Sequence, residues 1–109
     1  MESVNVGSVA VFKDLDASKA QALKPLEEAA EVFGAWQRLN EELVFYDRTD
    51  EDPRAVPFKP SVKAATGDVI DECADVIQAT LNLVAALGVH DMEPIMRACE
   101  ERNRRRGRF

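Results

Sequence analysis

Two groups of acidic residues stand at helical spacing in this 109-residue chain: Glu27, Glu28 and Glu31 in KPLEEAAEVFGAW, and Glu72 and Asp75 in DVIDECADVIQATLNLVAALG. On a helix that turns about 100° per residue, the first three fall inside an arc of about 100°, and the second pair sits one turn apart. Like charges this close repel, so a chain that keeps two such stripes beside apolar faces is suited to holding a cation between them. Carboxylate oxygens are hard ligands that favour Mg²⁺, or alternatively Mn²⁺, and such ions most often meet phosphates.

The second stripe extends beyond its pair. Asp68, Glu72, Asp75, Ala79 and Asn82 recur at steps of four, three, four and three, which places them on one narrow face bordering an apolar stripe. A solvated acidic face is the ordinary explanation for such residues, but surface helices usually intersperse opposite charges. Only Lys24 and Arg38 are basic neighbours of the first group, and neither Glu72 nor Asp75 has a basic residue three or four positions away. For Asn82 two readings stand, a hydrogen bond to a base or ribose and a tie between helices.

These side chains need helices to hold them, and the apolar pattern supplies three. From about 16 to 46, Leu23, Leu26, Ala30 and Phe33 share one line, with Val32, Trp36, Leu39 and Leu43 beside it. Pro25 interrupts this run, so a kink or a fresh helix start near Lys24 is expected, with the carboxylates in the first turns after the break. Residues 47–61 carry Asp50, Glu51, Asp52, Pro53, Pro57 and Pro60 without helical period and read as a loop joining antiparallel helices. A second helix over about 62–87 presents Val69, Cys73, Val76, Ile77, Thr80, Leu83, Val84 and Leu87, and Gly88 stops it. Asp91 is suited to cap a third helix over about 91–105, with Ile95, Met96 and Cys99 facing inward. The expectation is an all-α, three-helix domain over 16–109 preceded by an N-terminal arm over 1–15, with protomers pairing into a larger helical bundle.

EExxE followed some forty residues later by ExxD resembles the all-α nucleoside triphosphate pyrophosphohydrolase superfamily, which includes MazG-like and phosphoribosyl-ATP pyrophosphohydrolase-like enzymes. The resemblance covers about residues 18–108, including the arginine-rich end ERNRRRGRF. It implies that Glu28, Glu31, Glu72 and Asp75 are the chief ligands of Mg²⁺, with Glu27 a further ligand or the group that orients the attacking water. Water attack would then release pyrophosphate and a nucleoside monophosphate from a nucleotide substrate. Glu27, Glu28 and Glu31 form the catalytic group in this reading. Lys24, Asn82, Asn103, Arg106 and Arg108 are the candidates for substrate contact. Phosphoribosyl-ATP hydrolysis and a non-catalytic oligomeric helical module of the same fold are the alternatives.

Length and charge bound these readings. A chain of this length fits one thin domain whose helices need a partner to complete a core, which suggests a homodimer or homotetramer. The net charge of −6 conceals five arginines (102, 104, 105, 106 and 108) in the last eight residues, behind a strongly acidic body. That body disfavours nucleic acid as a partner. No apolar run suits a membrane span and no basic region precedes the apolar start, so a cytoplasmic protein is expected. Cys73 and Cys99 read as small reduced core residues, Trp36 as core, and His90 as a loop residue in the turn GVHD.

Overall fold

The computed structural model describes residues 2–49 and 52–109, so the loop reading of Asp50 and Glu51 and the first residue of the arm lie outside the described residues. Three α-helices follow in order, α1 (Lys19–Asp47), α2 (Pro60–Ala86) and α3 (Glu93–Arg105), with a single 3-10 turn at Val56–Phe58 and no strand among the described residues. The all-α, three-helix architecture read from the hydrophobic periods is therefore the observed one.

Helix α1 begins earlier than the proline suggested. The Ser18 hydroxyl accepts a hydrogen bond from the Gln21 N–H at 3.2 Å and nucleates the helix six residues before Pro25. Pro25 lies inside the continuous helix, where its missing N–H leaves one carbonyl of the preceding turn without its usual partner. There is no fresh start at Lys24. The first turn carries no acidic residue, so the carboxylates of α1 owe nothing to the helix N-terminus.

Helices α1 and α2 pack against each other as an antiparallel pair, whereas α3 touches the other helices only slightly. At the loop-closed end of the hairpin the Tyr46 hydroxyl lies 3.2 Å from the Ser61 hydroxyl, and the Lys59 ammonium sits 5.6 Å from the Tyr46 ring centre. Gly88 ends α2 as its sequence position suggests. With φ at +87° it donates to the Ala85 carbonyl, and Val89 donates to the Val84 carbonyl, which satisfies two carbonyls of the last turn. Gly107 repeats this arrangement after α3. The N-cap position of α3 is Met92, and the Asp91 carboxylate serves the same end from one residue earlier by accepting the Glu93 N–H at 3.0 Å.

The buried residues are few and small: Ala35, Val62, Ala65, Ala79 and Asn82. Large apolar side chains instead point outward, among them Leu26 (68% exposed), Ile70 (62%) and Trp36 (47%). Trp36 is stacked on Phe33, with ring centres 5.9 Å apart, and is not the core residue that its periodicity implied. Cys73 is free and exposed, and Cys99 is free and half-buried, so the inward position expected for Cys73 is not found within one protomer. The reason is one of position around each helix. Ala35 lies about 180° from Leu26 on α1, and Ala79 about 180° from Ile70 on α2. The helices meet most closely through small residues and turn several of their largest ones away.

The N-terminal arm lies against the C-terminal part of α2. The Asn82 amide oxygen, on a side chain that is 3% exposed, accepts the Phe12 N–H at 3.1 Å and the Gln78 side-chain amide at 3.0 Å. Gln78 also donates to the Ala10 carbonyl at 2.9 Å. Replacing Asn82 by alanine removes the acceptor for both donors. We expect N82A to lose about 1–2 kcal/mol in denaturant unfolding. The Phe12 amide should also exchange faster with solvent, while the helical circular dichroism stays unchanged.

Candidate metal centre

Where α1 and α2 come together through Ala35 and Ala79, their polar edges face each other. Glu28 and Glu31 precede Ala35 by two turns and one turn on α1, and Glu72 and Asp75 precede Ala79 by the same steps on α2. One carboxylate oxygen from each of these four residues lies within 4.8 Å of every other. Opposite oxygens around a single Mg²⁺ stand about 4.2 Å apart, so small side-chain rotations would bring the four into coordination range. The four residues that the sequence assigned to metal are thus the four the fold assembles.

Acidic groups collect on many surfaces without an ion, so proximity alone decides little. Glu72 decides more. Its Oε2 atom is buried and has no hydrogen-bond donor near it. A carboxylate oxygen withdrawn from water needs a donor or a cation, and leaving it without one costs free energy. The neighbour it meets is the Glu31 carboxylate, which in its ionised form can only accept. A proton or a positive ion between the two is the arrangement that satisfies both.

Ionisation follows the same constraint. Burial raises the Glu28 carboxyl above the ordinary glutamate value, helped by Glu31 and Asp75, with Lys24 opposing. Burial likewise raises Glu72, followed by the hydrogen-bonding and charge effects of Glu31 and then by the charges of Asp75 and Glu28. Both shifts have the sign expected of carboxylates gathered without a counter-ion, and a divalent cation would reverse them.

Glu27 stands apart from this group. It lies about 100° around α1 from Glu28 and forms an ion pair with Lys24 at 3.2 Å, both side chains being exposed. Beside the four carboxylates is a cavity of about 380 Å³ lined by Glu28, Glu31 and Asp75 together with Phe12, Gln21, Lys24, Gln78, Ala79 and Asn82. Of the candidates for substrate contact, Lys24 and Asn82 therefore reach the site. Asn82 spends its oxygen on the arm, which favours the tie over the base contact, although the tie is to the arm and not to another helix.

Asn103, Arg106 and Arg108 are not among the residues lining this cavity. The Arg108 guanidinium donates to the Asn103 side chain at 2.9 Å, and Asn103 faces Cys99. Neighbouring arginines are occupied along α3 itself, Arg104 with Glu100 and Glu101, and Arg105 with Glu101. Within one protomer the arginine-rich end is a helix terminus that neutralises its own acids. The residues missed by sequence are Phe12, Gln21 and Gln78. Gln78 was within reach, standing three residues past Asp75 and four before Asn82 on the same polar face, whereas Phe12 arrives through a contact seventy residues distant in sequence. No helix among the described residues is long and apolar enough to cross a membrane. No protein-family model, curated protein or solved structure matches this chain.

The raised carboxyls make the metal-free protein sensitive to pH. A carboxyl whose value is higher in the folded chain than in the unfolded one favours the fold while protonated, and that contribution is lost as pH rises through the raised value. In chelator-treated protein, wild type should lose melting temperature relative to E72Q as pH climbs from the glutamate range to neutrality. Adding Mg²⁺ or Mn²⁺ at 100 times its dissociation constant should restore about 2.7 kcal/mol to wild type at neutral pH and much less to E72Q. Parallel pH curves and equal metal responses in the two proteins would count against the site.

Proposed function

We propose that this chain is a Mg²⁺-dependent nucleoside triphosphate pyrophosphohydrolase that works in the cytoplasm as a homo-oligomer. The observation that carries the reading is the convergence of Glu28, Glu31, Glu72 and Asp75 around a buried oxygen that lacks a donor. The order and spacing of the two acidic motifs add to it, since they resemble those of the all-α pyrophosphohydrolases.

The chemistry suits the residues present. Breaking the bond between the α- and β-phosphates needs neutralisation of growing negative charge and a water aimed in line with the leaving group. Bound at the four carboxylates, Mg²⁺ would supply the positive charge and lower the pKa of a coordinated water. A carboxylate of the cluster not fully engaged by the metal would accept the water's proton. Lys24 lines the cavity and offers a cation to the departing pyrophosphate, and Glu27 holds it there through their ion pair. No covalent nucleophile is required, and His90, in the turn before α3, has no part in the site.

The exposed apolar side chains support the oligomer. Leu26, Phe33, Trp36, Leu43 and Val44 fall within an arc of about 100° on α1, and all are at least 40% exposed. Ile70, Cys73 and Ile77 form a similar strip on α2. An apolar surface this continuous is unusual on a monomer and is the kind that a homodimer or homotetramer covers.

Two measurements test the reading. Incubating the protein with Mg²⁺ and a panel of canonical, deoxy and modified nucleotides should yield pyrophosphate and monophosphate, and E28Q or D75N should cut kcat/KM by more than about 100-fold with the helical spectrum intact. Orthophosphate and diphosphate as products would exclude this cleavage position, and metal binding without turnover by wild type would favour a non-catalytic module. By sedimentation, wild type should run as a multiple of the 12.1 kDa protomer, and F33E should shift it toward a single protomer.

A further inference from the structure

The arm is fixed at the point where it passes the carboxylates. Glu2, Ser3 and Val4 line a hollow of about 490 Å³ beside α3, and Gly7, Ser8, Val9 and Val11 line another with the end of α2 and the turn that follows. The hydrogen bonds from Gln78 to the Ala10 carbonyl and from the Phe12 N–H to Asn82 then hold two nearby backbone groups against the polar face of α2. Asn82 is nearly wholly buried, so one of the two bonds rests on a fixed interior acceptor, while the Gln78–Ala10 bond lies at the surface.

What the anchorage presents is a phenyl ring. Phe12 is 64% exposed, although its backbone is pinned, and it lines the same 380 Å³ cavity as Glu28, Glu31 and Asp75. That volume lies within the range of about 300–1,000 Å³ typical of small-molecule sites. The cavity joins two chemistries, carboxylates that suit a metal-bound phosphate and an aromatic ring that suits a flat apolar group. A nucleotide carries both on one molecule.

We propose that Phe12 is the platform on which the substrate's base stacks, which makes the N-terminal arm a specificity-determining element of the site. The inference rests on the nucleotide reading above and deepens it, because it separates nucleotides from base-free polyphosphates. Stacking on an aromatic ring tolerates any base, since each has a π-face, and removing such a ring costs about one to two powers of ten in affinity. Asn82 and Gln78 act through the arm by setting where the ring stands.

The test is equilibrium binding to the full chain with Mg²⁺, comparing wild type, F12A and F12Y. Two probes are used, the α,β-methylene analogue of 2-aminopurine riboside triphosphate, whose fluorescence is quenched by stacking, and inorganic tripolyphosphate, which has no base. We expect wild type and F12Y to quench the analogue, and F12A to bind it about 10- to 100-fold more weakly without quenching. Tripolyphosphate affinity should be the same in all three. Equal weakening of both probes in F12A would make Phe12 a structural residue, and absence of quenching by wild type would overturn the proposal outright. Because binding is read without turnover, quenching in a protein that hydrolyses nothing removes the hydrolase and keeps the platform. Hydrolysis indifferent to Phe12 does the reverse.

Discussion

Four carboxylates drawn into one gap between two helices set the terms for the rest of this protein. Ionised together without a counter-charge they repel, and the buried Oε2 of Glu72 has given up water without gaining a donor. The raised values of Glu28 and Glu72 are the same constraint expressed as proton affinity. Small side chains make the gap possible. With Ala35 and Ala79 buried, α1 and α2 can approach closely enough for acids from both to share one centre. Bulkier residues there would widen the helix pair and dissolve the cluster, so packing and chemistry are set by the same positions.

That arrangement inverts the usual amphipathic helix. The fully buried side chains of the pair are mostly small, and many of the large apolar side chains of both helices look outward. Burying Leu26, Phe33 or Ile70 would stabilise by about 1.5–3 kcal/mol for each side chain fully covered. Little of that is realised within a protomer whose extents are 53 × 34 × 22 Å. A fold whose interior is made mostly of small side chains, with a carboxylate cluster at its edge, has to find hydrophobic stabilisation elsewhere, and the outer faces of α1 and α2 are where the means for it lie. The proposed assembly and the proposed metal centre are in this sense complementary, one supplying the apolar burial that the other forgoes.

The arm belongs to the site as much as the helices do. An irregular segment with no secondary structure of its own must place its backbone polar groups somewhere, and Asn82 and Gln78 accept or supply those bonds from α2. Asn82 occupies the next inward position after Ala79, one turn further along, so the residue that secures the arm is in register with the residues that hold the acids. A helix face that repeats every three or four residues thus serves the cluster at one end and the strap at the other.

The sequence alone determined the class of the fold and the two acidic stripes, because both depend on periodicity within single helices. A 3.6-residue repeat fixes which side chains share a face whatever the helix packs against, so Glu27, Glu28 and Glu31 could be grouped on one helix and Glu72 and Asp75 on another, and Gly88 could be set as a stop, while the choice of Glu28, Glu31, Glu72 and Asp75 as one set came from the resemblance to the pyrophosphohydrolases. What the tertiary structure decided is which face turns inward. Trp36 and Cys73 carry the pattern of core residues yet lie open, because the helices meet through alanines, a choice that local hydrophobicity does not encode. Long-range placement was equally out of reach. Asn82 and Phe12 are seventy residues apart, and the arginine-rich end pairs along α3 with its own acids three or four residues away. Pro25 shows the same limit at short range, since a serine cap seven residues upstream had already started the helix for which the proline suggested a fresh start near Lys24.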